Sequence, residues 1–132
     1  MILDTQVWWR YLTAGRMAQA TRRRIEQARA GGRLQIAAVT LWEMALLVHE
    51  GKLRVDGTPA RWLQTALARS GTTVAPLDPG AAHEAARLAA TLGDPAGCQI
   101  VGTAVHLGVP IASHDPGVLA CARGLGLEAF EA

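Results

Sequence analysis

The chain has only two cysteines, one tyrosine and one phenylalanine, and each scarcity excludes something. Cys98 and Cys121 form neither a CxxC pair nor a disulfide framework, so both are expected to be reduced, buried thiols. No apolar run approaches the ~20 residues that a membrane span requires. The N-terminus lacks a basic segment followed by an apolar one, which predicts no secretory leader and a cytoplasmic location. The GxSxG elbow and the GxxxxGK[ST] phosphate loop are missing, which removes two common hydrolase designs. There is no linker, low-complexity tract or repeat, so residues 1–132 are expected to form a single domain.

What is present is a core-forming chain. Half of its residues are hydrophobic and 18% are charged, the balance of a globular protein rather than a disordered one. The net charge of +2 conceals an asymmetry. Residues 1–69 carry 11 Lys and Arg against 5 Asp and Glu, whereas residues 70–132 carry 2 against 6. The basic excess centres on Arg10, Arg16, Arg22, Arg23, Arg24, Arg29 and Arg33. Such a cluster suits a phosphate backbone; the alternative is the solvated face of a helix.

Apolar patterning and punctuation predict the elements. Met1 to Asp4 reads as a buried first strand and Thr5 to Leu12 as a helix. A second helix is expected from Arg16 to Ala30, with Met17, Ala20, Ile25 and Ala28 inward and Gly31-Gly32 as its stop. Leu34 to Val39 is the second strand, with Thr40 expected to cap a helix from Leu41 to His49. Pro59 opens another helix, and Thr72 to Leu77 reads as a strand. Asp78-Pro79 and Asp94-Pro95 each join an N-cap to an N1 proline, predicting helices to about Thr91 and to Leu107. Val109 to Ser113, Pro116 to Arg123 and Leu127 to Phe130 complete the alternation. The fold class is α/β, a central parallel sheet of about five strands with helices on both faces.

Three acids fall where such a sheet keeps its ligands. Asp4 ends the first strand, Asp115 follows the strand Val109 to Ser113, and Glu43 lies one turn into the helix after the second strand. Carboxylates are costly to bury unpaired, and ligands bind at the carboxyl edge of open parallel sheets. Acids gathered there repel unless a cation lies between them. Oxygen donors suit Mg²⁺ or Mn²⁺, and Mg²⁺ takes one or two carboxylates directly and keeps several waters. Such an ion activates water and neutralises charge on a phosphoryl group, the chemistry of phosphodiester hydrolysis. Acid–base work on a sugar is the alternative, and it needs a larger cleft. Thr5 and Ser113, beside Asp4 and Asp115, are expected either to support the carboxylates or to cap local backbone. Asp94 is expected chiefly as an N-cap accepting from Ala96 or Gly97, with a supporting role at the site second.

These residues carry a resemblance. Met1-Ile2-Leu3-Asp4-Thr5-Gln6-Val7-Trp8 resembles the opening of PIN-domain ribonucleases, and Val39-Thr40-Leu41-Trp42-Glu43-Met44-Ala45 resembles their second acidic motif. Asp94 to Ala104 is similar to the third and Ile111-Ala112-Ser113-His114-Asp115 to the fourth, in the same order along the chain. The subgroup it resembles is the toxin of VapBC-type pairs. That resemblance implies a PIN-like fold, a Mg²⁺- or Mn²⁺-dependent endoribonuclease, an RNA substrate, a cognate antitoxin and a homodimer. It implies Asp4, Glu43 and Asp115 as catalytic and metal-binding acids. One position departs: the third motif's acid, usually followed by Arg, is here Gly97 followed by Cys98. A PIN fold that binds antitoxin or RNA without turnover is therefore the second reading.

The remaining candidates are weaker. His49, His83 and His106 lack ligand spacing, and His114 is a lone histidine at a strand end. Gly102 and Thr103 are expected to allow close packing against the sheet. Adjacent helical residues lie ~100° apart, so Trp8 and Trp9 cannot both face the core, and the outer one is expected to serve a protein interface. Trp42 is expected in the core.

Overall fold

Strand patterning and the Asp-Pro helix starts lead to one parallel sheet. In the computed structural model, which describes residues 1–132, the strands are β1 (Ile2–Leu3), β2 (Gln35–Ala37), β3 (Thr73–Ala75), β4 (Ile111–Ser113) and β5 (Ala129–Glu131). Their order is β3-β2-β1-β4-β5, with every pairing parallel. Eight helices connect them: α1 (Thr5–Leu12), α2 (Gln19–Ala30), α3 (Ala38–His49), α4 (Pro59–Ser70), α5 (Pro79–Arg87), α6 (Ala89–Leu92), α7 (Pro95–Leu107) and α8 (Pro116–Gly124).

Alternate strand residues face opposite sides, so the sheet divides two cores. Ile2, Ala37, Ala75 and Ile111 pack with Leu88, Val101, Ala104, Val118 and Ala122 from the α5–α8 segment. Met1, Leu3, Leu34, Ile36 and Ala112 pack with Val7, Trp8, Ile25, Met44 and Ala66 from the α1–α4 segment. Each fully buried Ile or Leu contributes about 1.5–3 kcal/mol through the water it leaves. The helices thus cover both faces, and β1 lies in the middle.

From β1 the chain builds β2 and β3 on one side, then returns to build β4 and β5 on the other. The strand order therefore reverses between β1 and β4, and their carboxyl ends border a crevice of the kind that holds ligands in α/β sheets. Register places Leu3 opposite Ala112 on one side of β1 and Ile36 on the other. Asp4 consequently emerges beside Ser113, and the N–H of Asp4 donates to the carbonyl of Ala112 at 3.0 Å.

Several expectations need correction. Helix α3 starts at Ala38, straight from the strand, so Thr40 is a buried residue of its first turn and caps nothing. Trp42 is 61% exposed rather than in the core. Thr40 and Met44 are the buried residues of α3, and a residue two positions from each points to the opposite side of a 3.6-residue turn. Helix α2 starts at Gln19 without a side-chain cap, and its inward residues are Thr21, Ile25 and Ala28 while Ala20 is exposed. The helix opened by Pro79 stops at Arg87. Leu88, buried on the same face as Ala81 and Ala85, separates it from α6, its N–H bonded to Ala85 three residues back. Gly102 packs against α5 rather than the sheet: a Cβ on it would meet the backbone N of Ala85 at 2.5 Å.

Candidate functional site

Asp4 caps α1 and is held by three donors. The N–H of Val7 donates to its Oδ1 at 2.7 Å, while the Ser113 hydroxyl and the His114 N–H, the latter at 3.1 Å, donate to its Oδ2. Two of those donors come from the end of β4, so pairing of β1 with β4 is what orients the side chain. Ser113 also accepts from the N–H of Asp115 at 3.0 Å and ties the two acids together. Asp115 caps α8 in turn, its Oδ1 accepting from Gly117 at 2.7 Å and Val118 at 3.1 Å. Its Oδ2 has no protein donor.

Glu43 is reached through threonines. The hydroxyl of Thr5 donates to Glu43 Oε1 at 2.5 Å and lies 3.1 Å from the hydroxyl of Thr40. A hydroxyl has one proton to give. With that of Thr5 committed to Glu43, Thr40 must donate to Thr5. Burial raises the pKa of the Glu43 carboxyl above its ordinary value; the Thr5 hydrogen bond opposes this, and the charges of Asp94 and Asp4 add to it. Glu43 Oε2 is left without a protein donor.

Asp94 caps α7 as expected, its Oδ2 accepting from the Gly97 N–H at 2.9 Å. Position 97 offers no side chain, and a Cβ there would stand 2.9 Å from that same Oδ2. Asp94, Gly97, Asp115 and Gly117 line a common cleft of about 580 Å³ beside α6 and α8.

The structure thus joins Asp4 to Asp115 through Ser113, and brings Glu43 within the field of Asp4 and Asp94. It does not bring three acid, histidine or cysteine side chains close enough to ligate one ion together. The donors are all oxygens, and Glu43, Asp94 and Asp115 each keep one uncommitted oxygen. That set suits a hard divalent cation that takes one or two carboxylates directly and reaches the rest through its water shell. Thr5 and Ser113 support carboxylates, as one of their two expected roles required. Thr40 and the N–H of His114 escaped the sequence, because a buried hydroxyl and a backbone donor leave no motif. Cys98 and Cys121 are free; Cys98 is buried as expected but Cys121 only partly so, and loss of water raises both thiols above their ordinary pKa.

The arginines lie elsewhere. Arg22, Arg29, Arg54, Arg61 and Arg69 line a groove of about 750 Å³ formed by α1, α2, α4 and the segment before α4, and none of the four acids above borders it. Trp8 is fully buried, whereas Trp9 is half-buried in this groove, its ring 6.1 Å from that of Trp62. No helix is long and apolar enough to cross a membrane.

Among solved structures, the chain is similar to DNA-bound VapBC from Salmonella typhimurium at 19% identity and a TM-score of 0.68, over 98% of this chain and 96% of that one. VapBC2 from Rickettsia felis, bound to a promoter DNA fragment, matches at 12% identity and a TM-score of 0.71, over 98% and 96%. VapBC-5 from Mycobacterium tuberculosis, a member of the VapBC family of toxin–antitoxin systems, matches at 22% and 0.62, over 99% and 97%. No curated protein sequence matches significantly. The family model of the PIN domain matches residues 1–123. With its parallel five-stranded sheet and the family model spanning nearly all of its length, the chain belongs to the PIN domain family.

Proposed function

We propose that the chain is a divalent-metal-dependent endoribonuclease acting as the toxin of a toxin–antitoxin pair. The observation that carries this reading is Glu43, a carboxyl held partly out of water within the field of two other acids at the carboxyl edge of the sheet. Stabilising such a site calls for positive charge. A bound Mg²⁺ or Mn²⁺ would supply that charge and polarise a phosphodiester. Asp4, Asp115 and Glu43 would hold it, directly or through water.

Each residue then has a task. Asp4, fixed by Val7, Ser113 and His114, provides a carboxylate whose direction does not change during a reaction. Asp115 is fixed by the first turn of α8 and presents Oδ2. Glu43, anchored at Oε1 by Thr5, would have Oε2 free to take a proton from an attacking water. The helix starts at Thr5, Pro95 and Pro116 direct their positive ends to the same edge, which favours a phosphate there.

The partner would be a cognate antitoxin, since the similar structures are those of toxin–antitoxin complexes. The groove between α1, α2 and α4 supports its docking here, with the Trp9–Trp62 pair as an apolar floor and arginines at the rim. A homodimer is supported by α3, whose Trp42, Ala45, Leu46 and His49 form one stripe that leaves Trp42 in solvent. A cytoplasmic location is part of the same proposal.

RNA cleavage with Mn²⁺ or Mg²⁺, against an EDTA control, tests the enzyme. The folded parent is expected to cut only with metal, and Asp4→Asn to lose at least ~100-fold in rate, in line with removing a catalytic electrostatic contact. Equal cleavage by folded Asp4→Asn would sink the mechanism. The second reading, a partner-binding PIN fold without turnover, is favoured by Gly97 and by the lack of three convergent ligands. It predicts no cleavage with any metal while antitoxin binding persists.

A further inference from the structure

We propose that Arg23 and Arg24, in the first turns of α2, form a second contact for the RNA strand, gripping its phosphates beside the acid site and outside the arginine groove. The proposal deepens the ribonuclease reading above and rests on it. Topology brings the two arginines there. The Thr21 hydroxyl donates to the carbonyl of Glu131 at 2.5 Å, which fixes the first turn of α2 at the carboxyl end of β5. Glu131 pairs with Ser113 across β5 and β4, adjacent strands lying ~4.8 Å apart. Ser113 in turn donates to Asp4. The start of α2 thus stands one strand away from the serine that joins Asp4 to Asp115.

The faces of α2 separate these arginines from the groove. Thr21, Ile25 and Ala28 are buried, while Arg22, Glu26 and Arg29 line the groove. At ~100° per residue, Arg24 falls on the flank away from the groove and Arg23 on the outward face. Arg24 is exposed, yet its guanidinium lies 5.2 Å from the centroid of the Phe130 ring, a cation–π contact that holds it over β5. A guanidinium already held loses less freedom when it takes a phosphate or stacks on a base. Neither arginine has a carboxylate partner: the four ion pairs of the protein use Arg29, Lys52, Arg87 and His106. Glu26, the one acid of α2, is spent on Arg29 and Tyr11. The groove, by contrast, carries its own acids in Glu26 and Asp56. Two adjacent, unneutralised guanidiniums next to the proposed cleavage site call for an anion, and a nucleic-acid strand extending past the cut supplies one at each nucleotide.

Binding of a fluorescein-labelled single-stranded RNA of mixed sequence would be measured by anisotropy in EDTA, where the metal-dependent reaction is off, across a range of salt. The proteins are the parent, Arg23→Gln, the double variant Arg23→Gln/Arg24→Gln, and Arg33→Gln, each checked by thermal unfolding. Arg33 belongs to the same arginine cluster but precedes β2, at the opposite edge of the sheet, so it controls for net charge. The double variant is expected to bind roughly tenfold more weakly. Its slope of log K against log salt should shrink by ~1.4, from two phosphate contacts at ~0.7 each. Arg23→Gln, which breaks no ion pair, should lose about half of that slope and stands in should loss of the Phe130 contact unfold the double variant. Arg33→Gln should stay within about twofold of the parent. A double variant that matches the parent in affinity and slope, or an equal loss in Arg33→Gln, would overturn the proposal and leave the ribonuclease reading in place. A parent that binds no RNA would overturn both. Loss of self-association in sedimentation velocity, with RNA binding intact, would give the patch to a second copy of the chain instead.

Discussion

Glu43 is the residue whose protonation is most exposed to test. Its folded pKa is raised, first by burial, so the folded protein holds that proton more tightly than the unfolded chain does. The sign follows by linkage. Without metal, stability is highest below the ordinary carboxylate pKa and falls as pH rises from there through the raised value. Glu43→Gln keeps an acceptor for Thr5 and removes the charge. In metal-free buffer at pH 7 the variant is expected to melt a few degrees above the parent, and below pH 4 the two should converge. Identical pH profiles by calorimetric melting would show that Glu43 is not held against its charge. The positions of Asp4 and Asp115 at strand ends, and of Glu43 in the helix after β2, were legible in the sequence because each follows a strand-like run. The exposure of Trp42 was not, because α3 is apolar on most sides and its inward stripe is set by Thr40 and Met44, which only packing reveals.

At the scale of elements, three of the acids at the sheet's carboxyl edge are the side chains that start helices. Asp4, Asp94 and Asp115 cap α1, α7 and α8, and the Asp-Pro pairs announced two of those three starts in advance. The break between α5 and α6 had no such signal, since leucine and alanine are good helix formers. Helix α7 lies tightly on α5 at Gly102, where a Cβ would meet the Ala85 backbone at 2.5 and 2.7 Å. Backbone cannot rotate away as a side chain can. Gly102→Ala is expected to cost about 2 kcal/mol, the cost of overpacking, and to lower Tm by roughly 5–10 °C. Gly124→Ala, with nothing within 4 Å of the new Cβ, should leave Tm unchanged or slightly raised. Similar melting of both variants would mean that α5 and α7 are not closely seated.

On the scale of the whole molecule, the acids of the sheet edge and the groove arginines lie apart, with Glu26 and Asp56 the acids that line the groove itself. The acids gather at the switch between β1 and β4, while five arginines border the groove of α1, α2 and α4. A phosphate-contacting role for the arginine cluster was one of two sequence readings; of its seven members Arg22 and Arg29 line the groove, with Arg54, Arg61 and Arg69 joining them from α4 and the segment before it. Assembly through α3 makes a separate prediction: Trp42→Glu should shift a dimeric parent toward monomer in sedimentation velocity. A parent that stays monomeric at high concentration would remove α3 as an interface. The topology was legible because strands and helices alternate; the pairing of residues 2–3 with 111–112 was not, since no local pattern reports a partner more than a hundred residues away. That separation has a consequence for how the protein is made. Asp4 leaves the ribosome early, yet two of its three donors, Ser113 and His114, are 109 and 110 residues further on. At about 5–20 residues per second of synthesis, the nascent chain carries Asp4 for on the order of ten seconds before the strand that aligns it exists. Chains released early, short of Ile111, would hold Asp4 without the two donors that follow from β4, so translation itself delays the moment at which this carboxylate is fully oriented.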